Sequence, residues 1–379
     1  MVPETNDSTA RRLKTAPQSR TPIFRINLRR LRHRQHLGNH RPPIRLANLQ
    51  DFHLIKNMNL PVGKLKHDFL KQLLPTSHKS TGVVVGPQLG EDAAVIEFGD
   101  NYLVATSDPI TFATEDIGWY VVCVNSNDIA AMGAVPKWLL VTLLLPQDTT
   151  TPETVRDIMT QLTQACKTFD IALCGGHTEV TPAVTQPVVI GQMMGIAAKD
   201  SLFTSSAARV GDVLILTKGL GIEATAIIAR ECEAQVHEKC DAQFLEQAKH
   251  YLFDPGISVL KDSQIATATG GVHAMHDVTE GGVATAVFEL ATAAELGVVV
   301  YLDELLGSPV LYSDITRTLC DMFGLNPLGV ISSGAMLIAA EPEKGEAICQ
   351  TLGKAGIRAG IIGQFSPPES GMRLEDATG

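Results

Sequence analysis

Four stretches of this chain set carboxylates beside small residues where a strand or helix ends: "GEDAAVI" (90–96), "TSDPI" (106–110), "NSNDIAAMGA" (125–134) and "GGHTEVTP" (175–182). A single Asp in such a place is ordinarily a turn former or a helix N-cap. Asp92, Asp108 and Asp128 repeat the setting three times. Three uncompensated carboxylates brought together would repel and stay partly protonated unless a cation joined them. Magnesium suits that role, because it binds through a few carboxylates and completes its shell with phosphate oxygens and water. The expected chemistry is the handling of a nucleotide's phosphates, with Asp92, Asp108 and Asp128 as metal ligands.

Other residues are candidates for the same work. Gly175 and Gly176 precede His177, Thr178 and Glu179, and glycines let backbone amides approach an anion. His276 and Asp277, in "MHDVTEGG", come just before Gly281 and Gly282, which open a helix expected at 283–296. A helix N-terminus suits a phosphate, although Asp277 or Thr279 also reads as a plain N-cap. Lys64 either reaches phosphates or is a solvated lysine at a helix start. "TKGLGIEA" (217–224) has the same strand-glycine-helix form, and GxG alone is a weak signal. Cys232, His237 and Cys240 are spaced loosely for zinc and read more readily as scattered helix positions.

The elements that must carry these residues follow from pattern. Leu65, Phe69 and Leu73 form one helix face, stopped by Pro75. Strand-like runs follow, "GVVVG", "DAAVIEF", "NYLVATSD", "KWLLVTLLL" and "PVVIGQMMGIAA", with helices at 117–132 and 152–168 among them. The pattern predicts an α+β domain over 58–200. A second domain, 201–379, expected to be α/β, opens with a strand at 213–217 whose following glycines, Gly219 and Gly221, start a helix. Its later units read as loop, glycine pair, helix, strand (271–304) and as strand, helix, strand (334–365). The final "PPESGMRLEDATG" is expected to fray.

Bulk properties bound the rest. With 379 residues, 45% of them apolar, and a mean hydropathy of +0.10, two domains with sizeable cores are expected. The longest apolar runs, 138–146 and 188–198, fall short of the roughly 20 residues of a membrane helix, so no membrane role is expected. Seven scattered cysteines without a CxxC pair suggest reduced thiols in the cytoplasm. Residues 1–57 hold 12 Lys and Arg against 3 Asp and Glu, and the remainder holds 19 against 38. The acidic body argues against a nucleic-acid partner. The basic start reads as a disordered extension, an organelle presequence, or sequence upstream of a true start at Met58.

The order and wording of the motifs resemble the superfamily of aminoimidazole ribonucleotide (AIR) synthetase, the hydrogenase maturation factor HypE, selenophosphate synthetase and thiamine-monophosphate kinase. The match runs through Asp92, Asp108, Asn127–Asp128, Gly175–Gly176–Thr178–Glu179, and Asp277–Thr279–Gly281–Gly282, over about 60–365. The resemblance implies a two-domain ATP-binding fold, usually a homodimer formed through the N-terminal sheets. It places Asn127, Gly175, Gly176, Thr178, Glu179, Thr279, Gly281 and Gly282 beside the three aspartates around ATP and Mg2+. It leaves Lys64, His177 and Asp277 as candidates for the chemistry. His177 departs from relatives that carry an acid at that place.

The wording is most like the HypE branch, which implies phosphorylation of an amide- or carbamoyl-type oxygen on either a small-molecule substrate or a partner protein of a maturation pathway. HypE carries a reactive cysteine at its extreme C-terminus. Here the sequence ends "RLEDATG", and its last cysteine, Cys349, is expected inside a helix. Two further readings stay open: a non-catalytic ATP-binding maturation or regulatory partner, and AIR synthetase itself, which rescue of a purine auxotroph would identify.

Overall fold

In the computed structural model the residues described are 60, 62–74, 82–111 and 115–376. The readings of residues 1–57, of Met58 and of Pro75 lie outside them. Gly63–Gly379 make one compact unit.

Its first half is a six-stranded sheet. The elements are α1 (His67–Leu73), β1 (Val83–Val85), β2 (Ala94–Phe98), β3 (Asn101–Ile110), α2 (Ile117–Ala131), β4 (Val135–Pro146), α3 (Pro152–Thr168), β5 (Ala172–Thr181) and β6 (Val188–Ala198). The strand order is β1-β2-β3-β6-β4-β5. Only the β4–β5 pair is parallel, and α3 is its crossover. Thr151 caps α3 by accepting from the Thr154 amide, with Pro152 at the first helical position. β4 and β6 alternate buried and half-buried residues along their length, so one sheet face packs and the other stays open. α2 is different. Almost every residue of it is buried, because it is apolar or small on all sides and lies between the first sheet and the elements that follow.

The second half holds β7 (Val213–Thr217), α4 (Ile222–Glu231), α5 (Glu233–His237), α6 (Ala242–His250), α7 (Leu260–Thr269), β8 (Val272–Asp277), α8 (Gly282–Ala293), β9 (Gly297–Tyr301), α9 (Leu302–Leu306), α10 (Asp314–Phe323), β10 (Met336–Ala340), α11 (Pro342–Lys354), β11 (Ala359–Ser366) and β12 (Met372–Glu375). Its sheet runs β12-β9-β11-β7-β10-β8. The strand expected at 213–217 forms over those residues and is buried at four of its five positions, as a central strand should be.

Two expectations need correction. The 272–277 segment, read as a loop, is β8, whose residues are buried on both faces, so the polar alternation that marks a half-exposed strand is missing. The C-terminal stretch, read as frayed, contributes β12, paired parallel to β9 from Met372↔Val298 to Glu375↔Tyr301. Its backbone completes the sheet edge while its side chains remain mostly exposed, which is why its composition looks like a tail.

Candidate functional site

The aspartates meet where α2 and β3 of the first sheet face β8 of the second. Asp92 stands at the entry to β2, Asp108 near the end of β3, Asp128 in the last turn of α2 and Asp277 at the end of β8. Asp128 feels the charge of Asp92, Asp108 and Asp277, and Asp277 that of Asp92 and Asp108. Asp128 is only 5% exposed. Its Oδ2 accepts from the Thr106 hydroxyl at 2.5 Å. Asn125 fixes the backbone of Asp108 in both directions, its Oδ1 accepting from the Asp108 amide at 2.9 Å and its Nδ2 donating to the Asp108 carbonyl at 3.2 Å.

Asp92 faces a cation supplied by the protein. His276 Nδ1 lies 2.6 Å from Asp92 Oδ1, and its Nε2 lies 3.2 Å from Glu289 Oε2 on α8. Glu289 Oε1 in turn meets His67 Nε2 of α1 at 2.7 Å. The turn before Asp92 must come close for this to form. Gly90 has φ +81°, and a Cβ there would stand 2.7 Å from the Glu289 carbonyl oxygen. Glu91 is held separately, accepting from the Ser205 and Ser206 amides at 3.1 and 3.3 Å. Lys64 closes the rim, at 2.9 Å from Glu280 Oε2 and 3.3 Å from Thr279 Oγ1. Gly281 takes a left-handed conformation as the N-cap of α8, and Gly282 opens the helix.

The electrostatics follow from burial and like charge. Burial, then Asp108 and Asp277, push the Asp128 carboxyl well above the usual range. Burial and Asp92 do the same to Asp277. His276 is held protonated: burial works against its charge, and the Asp92 and Glu289 carboxylates outweigh it. Glu289 shows the reciprocal balance, burial raising it while His276 and His67 bring it down to about 2.

The set is short of positive charge. Asp92 Oδ2 and Asp277 Oδ2 are buried without a hydrogen-bond partner. Among the described residues no three His, Cys, Asp or Glu side chains already form a metal-holding group. A divalent ion arriving with phosphate oxygens to complete its shell fits these donors, whereas an all-protein cage does not.

The remaining sequence candidates are placed elsewhere or engaged otherwise. Asn127 is fully buried. Its Nδ2 donates to the Ile257 carbonyl at 2.8 Å and its Oδ1 accepts from the Val259 amide at 2.9 Å. Gly175, Gly176, His177, Thr178 and Glu179 lie exposed on β5, where His177 Nε2 pairs with Glu179 Oε2 at 3.0 Å. The register runs Asp108↔Gly191, Gly191↔Val141 and Val141↔Gly176. Gly176 is therefore three strand spacings, about 14 Å, from Asp108. Its glycine identity has a local cause: at φ +147° a Cβ would fall 1.8 Å from the Val141 carbonyl oxygen. Cys232 and Cys240 are free and half-buried beside α5, and with His237 they form no metal-holding group. Thr106, Asn125, Glu289 and His67 were not anticipated. Glu289 had a usable signal, an acid on an α8 that is otherwise apolar and small-residue after its glycines.

A two-domain fold with two six-stranded sheets and a cluster of aspartates drawn from both halves defines a class, and the comparisons agree with it. Residues 90–197 match the N-terminal domain of AIR synthase related protein and residues 209–373 match its C-terminal domain. The chain belongs to the AIR synthase related family, on its HypE-like side. It is 26% identical over 336 residues to a protein of Methanocaldococcus jannaschii named "Putative hydrogenase expression/formation protein", covering 86% of this chain and 95% of that one. It is 26% identical over 279 residues to carbamoyl dehydratase HypE of Escherichia coli, covering 73% and 76%. A crystal structure of HypE in complex with ATP superposes with a TM-score of 0.61 at 22% identity, covering 78% of this chain and 92% of that one. No helix among the described residues is long and apolar enough to cross a membrane.

Proposed function

We propose that this protein is a cytoplasmic Mg-ATP-dependent enzyme that phosphorylates the oxygen of an amide- or carbamoyl-type substrate. One observation carries the reading: four carboxylates, Asp92, Asp108, Asp128 and Asp277, crowd one site in which Asp128 and Asp277 are buried and two oxygens are left unpartnered. The ATP complex of a HypE of this fold and the name carbamoyl dehydratase of a relative support the choice of nucleotide and substrate class. Bound with the nucleotide, magnesium would neutralise charge developing on the phosphate oxygens.

The protein's own groups position the reactants. Asp92, Asp108 and Asp128 would hold the metal, with Asp277 beside them. Thr106 orients Asp128, and Asn125 locks the backbone of Asp108. His276 keeps one oxygen of Asp92 occupied and leaves the other free. Lys64, paired to Glu280 at the rim, would transfer to phosphate oxygens. Thr279, beside Lys64, and the glycines opening α8 would offer further donors. Asp128→Asn is expected to abolish Mg-dependent ATP hydrolysis, and an unchanged rate would refute the reading.

A second reading, an ATP-binding maturation partner without turnover, is favoured by Cys349. That residue lies within α11, where burial pushes its thiol up to about 11, so it is no swinging acceptor of a carbamoyl group. In the enzyme reading the proposed substrate is a separate molecule or a partner protein. Tight ATP binding without phosphate release would select the second reading. We also propose a boundary near residue 200 between the two domains, and a homodimer through the open face of the first sheet.

A further inference from the structure

A cavity of about 300 Å3 opens beside the point where β7 ends and β11 begins. That volume is at the small end of those that hold small-molecule ligands. Its wall is drawn from three separate stretches of chain: Lys218 after β7, Tyr251 with Asp254 and Pro255 after α6, and Ile357 with Arg358 before β11. The backbone fixes how these stretches meet. Lys218 takes a left-handed conformation at φ +57°, uncommon for a residue with a side chain, and its amide donates to the Arg358 carbonyl at 2.6 Å. The turn that follows is held tightly, since a Cβ at Gly219 would fall 2.1 Å from the Leu311 carbonyl oxygen.

The charged groups of the wall, Lys218, Asp254 and Arg358, differ in what they already touch. Lys218 is 6% exposed and satisfied from within: its Nζ donates to the Ser258 carbonyl and lies 3.0 Å from Oδ2 of the buried Asp262. It braces the wall as half of a neutral pair. Arg358 is half-buried and Asp254 is exposed. Among the described residues neither of these two side chains has an ion-pair or hydrogen-bond partner. They do not pair with each other, although both line the one cavity. Tyr251 donates its hydroxyl to Ser313 Oγ at 2.8 Å, so with Pro255 and Ile357 it offers the cavity mainly carbon.

A half-buried guanidinium has given up part of its hydration, and a carboxylate restores the loss with paired, charge-assisted hydrogen bonds. A simple anion would set its charge against Asp254, and a simple cation would set its charge against Arg358. A molecule that carries both signs on an apolar body meets every part of this wall.

We infer that this cavity binds a free α-amino acid with an apolar side chain, its carboxylate on Arg358 and its ammonium on Asp254. The site shares no residue with the aspartate cluster, and the inference does not rest on the phosphoryl-transfer reading.

Three probes of one shape, titrated into the full chain and followed by ligand-observed NMR, test it. They are L-leucine, isocaproate, which lacks the ammonium, and isoamylamine, which lacks the carboxylate. Leucine is expected to bind at least about tenfold more tightly than either, because each of the others loses one charge-assisted contact. Arg358→Gln is expected to bring leucine to within about threefold of isoamylamine, and Asp254→Asn to within about threefold of isocaproate. Neither side chain is in a core, so both variants should melt with the wild type. Failure of leucine to bind at millimolar concentration overturns the inference. Equal binding of the three probes by the wild type, or a leucine preference that survives both substitutions in folded protein, does the same.

Discussion

Asp128 receives a proton donor from Thr106 at 2.5 Å while three other carboxylates press on it. The site therefore stores electrostatic tension at single atoms, and pH should expose it with opposite signs at two residues. Glu289 is depressed to about 2, so its contribution to stability is present above its ordinary value near 4.5 and is lost as pH falls toward 2. Glu289→Gln should flatten that acid limb, and urea unfolding at pH 5 and pH 3 reads the difference. Glu223 behaves in the contrary sense. Raised to about 7, it contributes fully below 4.5, and the contribution is lost as pH rises through 7. The window corresponds to about 3 kcal/mol for a group so buried. Glu223→Gln should make stability less dependent on pH between 5 and 8, and an identical slope in both proteins would contradict the assignment.

Among elements, α2 is the bridge between the sheets, and Asn127 is its tether. Its amide satisfies the Ile257 carbonyl and the Val259 amide, both far along the chain. Ser263 adds a third tie by donating to the Ala130 carbonyl at 2.7 Å. Asn127→Ala strands two buried backbone groups and is expected to cost about 2–4 kcal/mol. In a chain of this size each kcal/mol moves the melting temperature by roughly 2–4 °C. Calorimetry should therefore show a fall of several degrees, and a variant melting with the wild type would remove the tether role. β5 was read from its glycines as an anion cradle, and one of those glycines also has a local structural cause. Gly176 is required by the close approach of Val141, and the strand forms the exposed edge of its sheet.

At the scale of the whole molecule, the open face of the first sheet presents half-buried Leu140, Leu144, Ile190 and Met194 beside Trp138, which is 37% exposed. An apolar sheet face of this kind asks for cover, and a second copy of the chain is the proposed occupant. Light scattering is expected to show a dimer, and Trp138→Glu a shift toward monomer. A monomeric wild type would end that proposal.

Much of this protein was readable from local pattern. The strand at 213–217, the helices at 117–131 and 152–168, and the recurrence of Asp92, Asp108 and Asp128 at element ends depend on spacing within a few residues, which a sequence displays directly. β8 and β12 were missed for the same reason: burial on both faces, or exposure at an edge, erases the alternation by which strands announce themselves. What only the tertiary structure decided was partnership. That His276 stands against Asp92, and that His67 reaches Glu289 across 222 residues, depends on α2 packing against both the first sheet and β8, and on α1 meeting α8. Contacts of that range are set by how whole elements bury their apolar surfaces, and no short stretch of sequence contains that information.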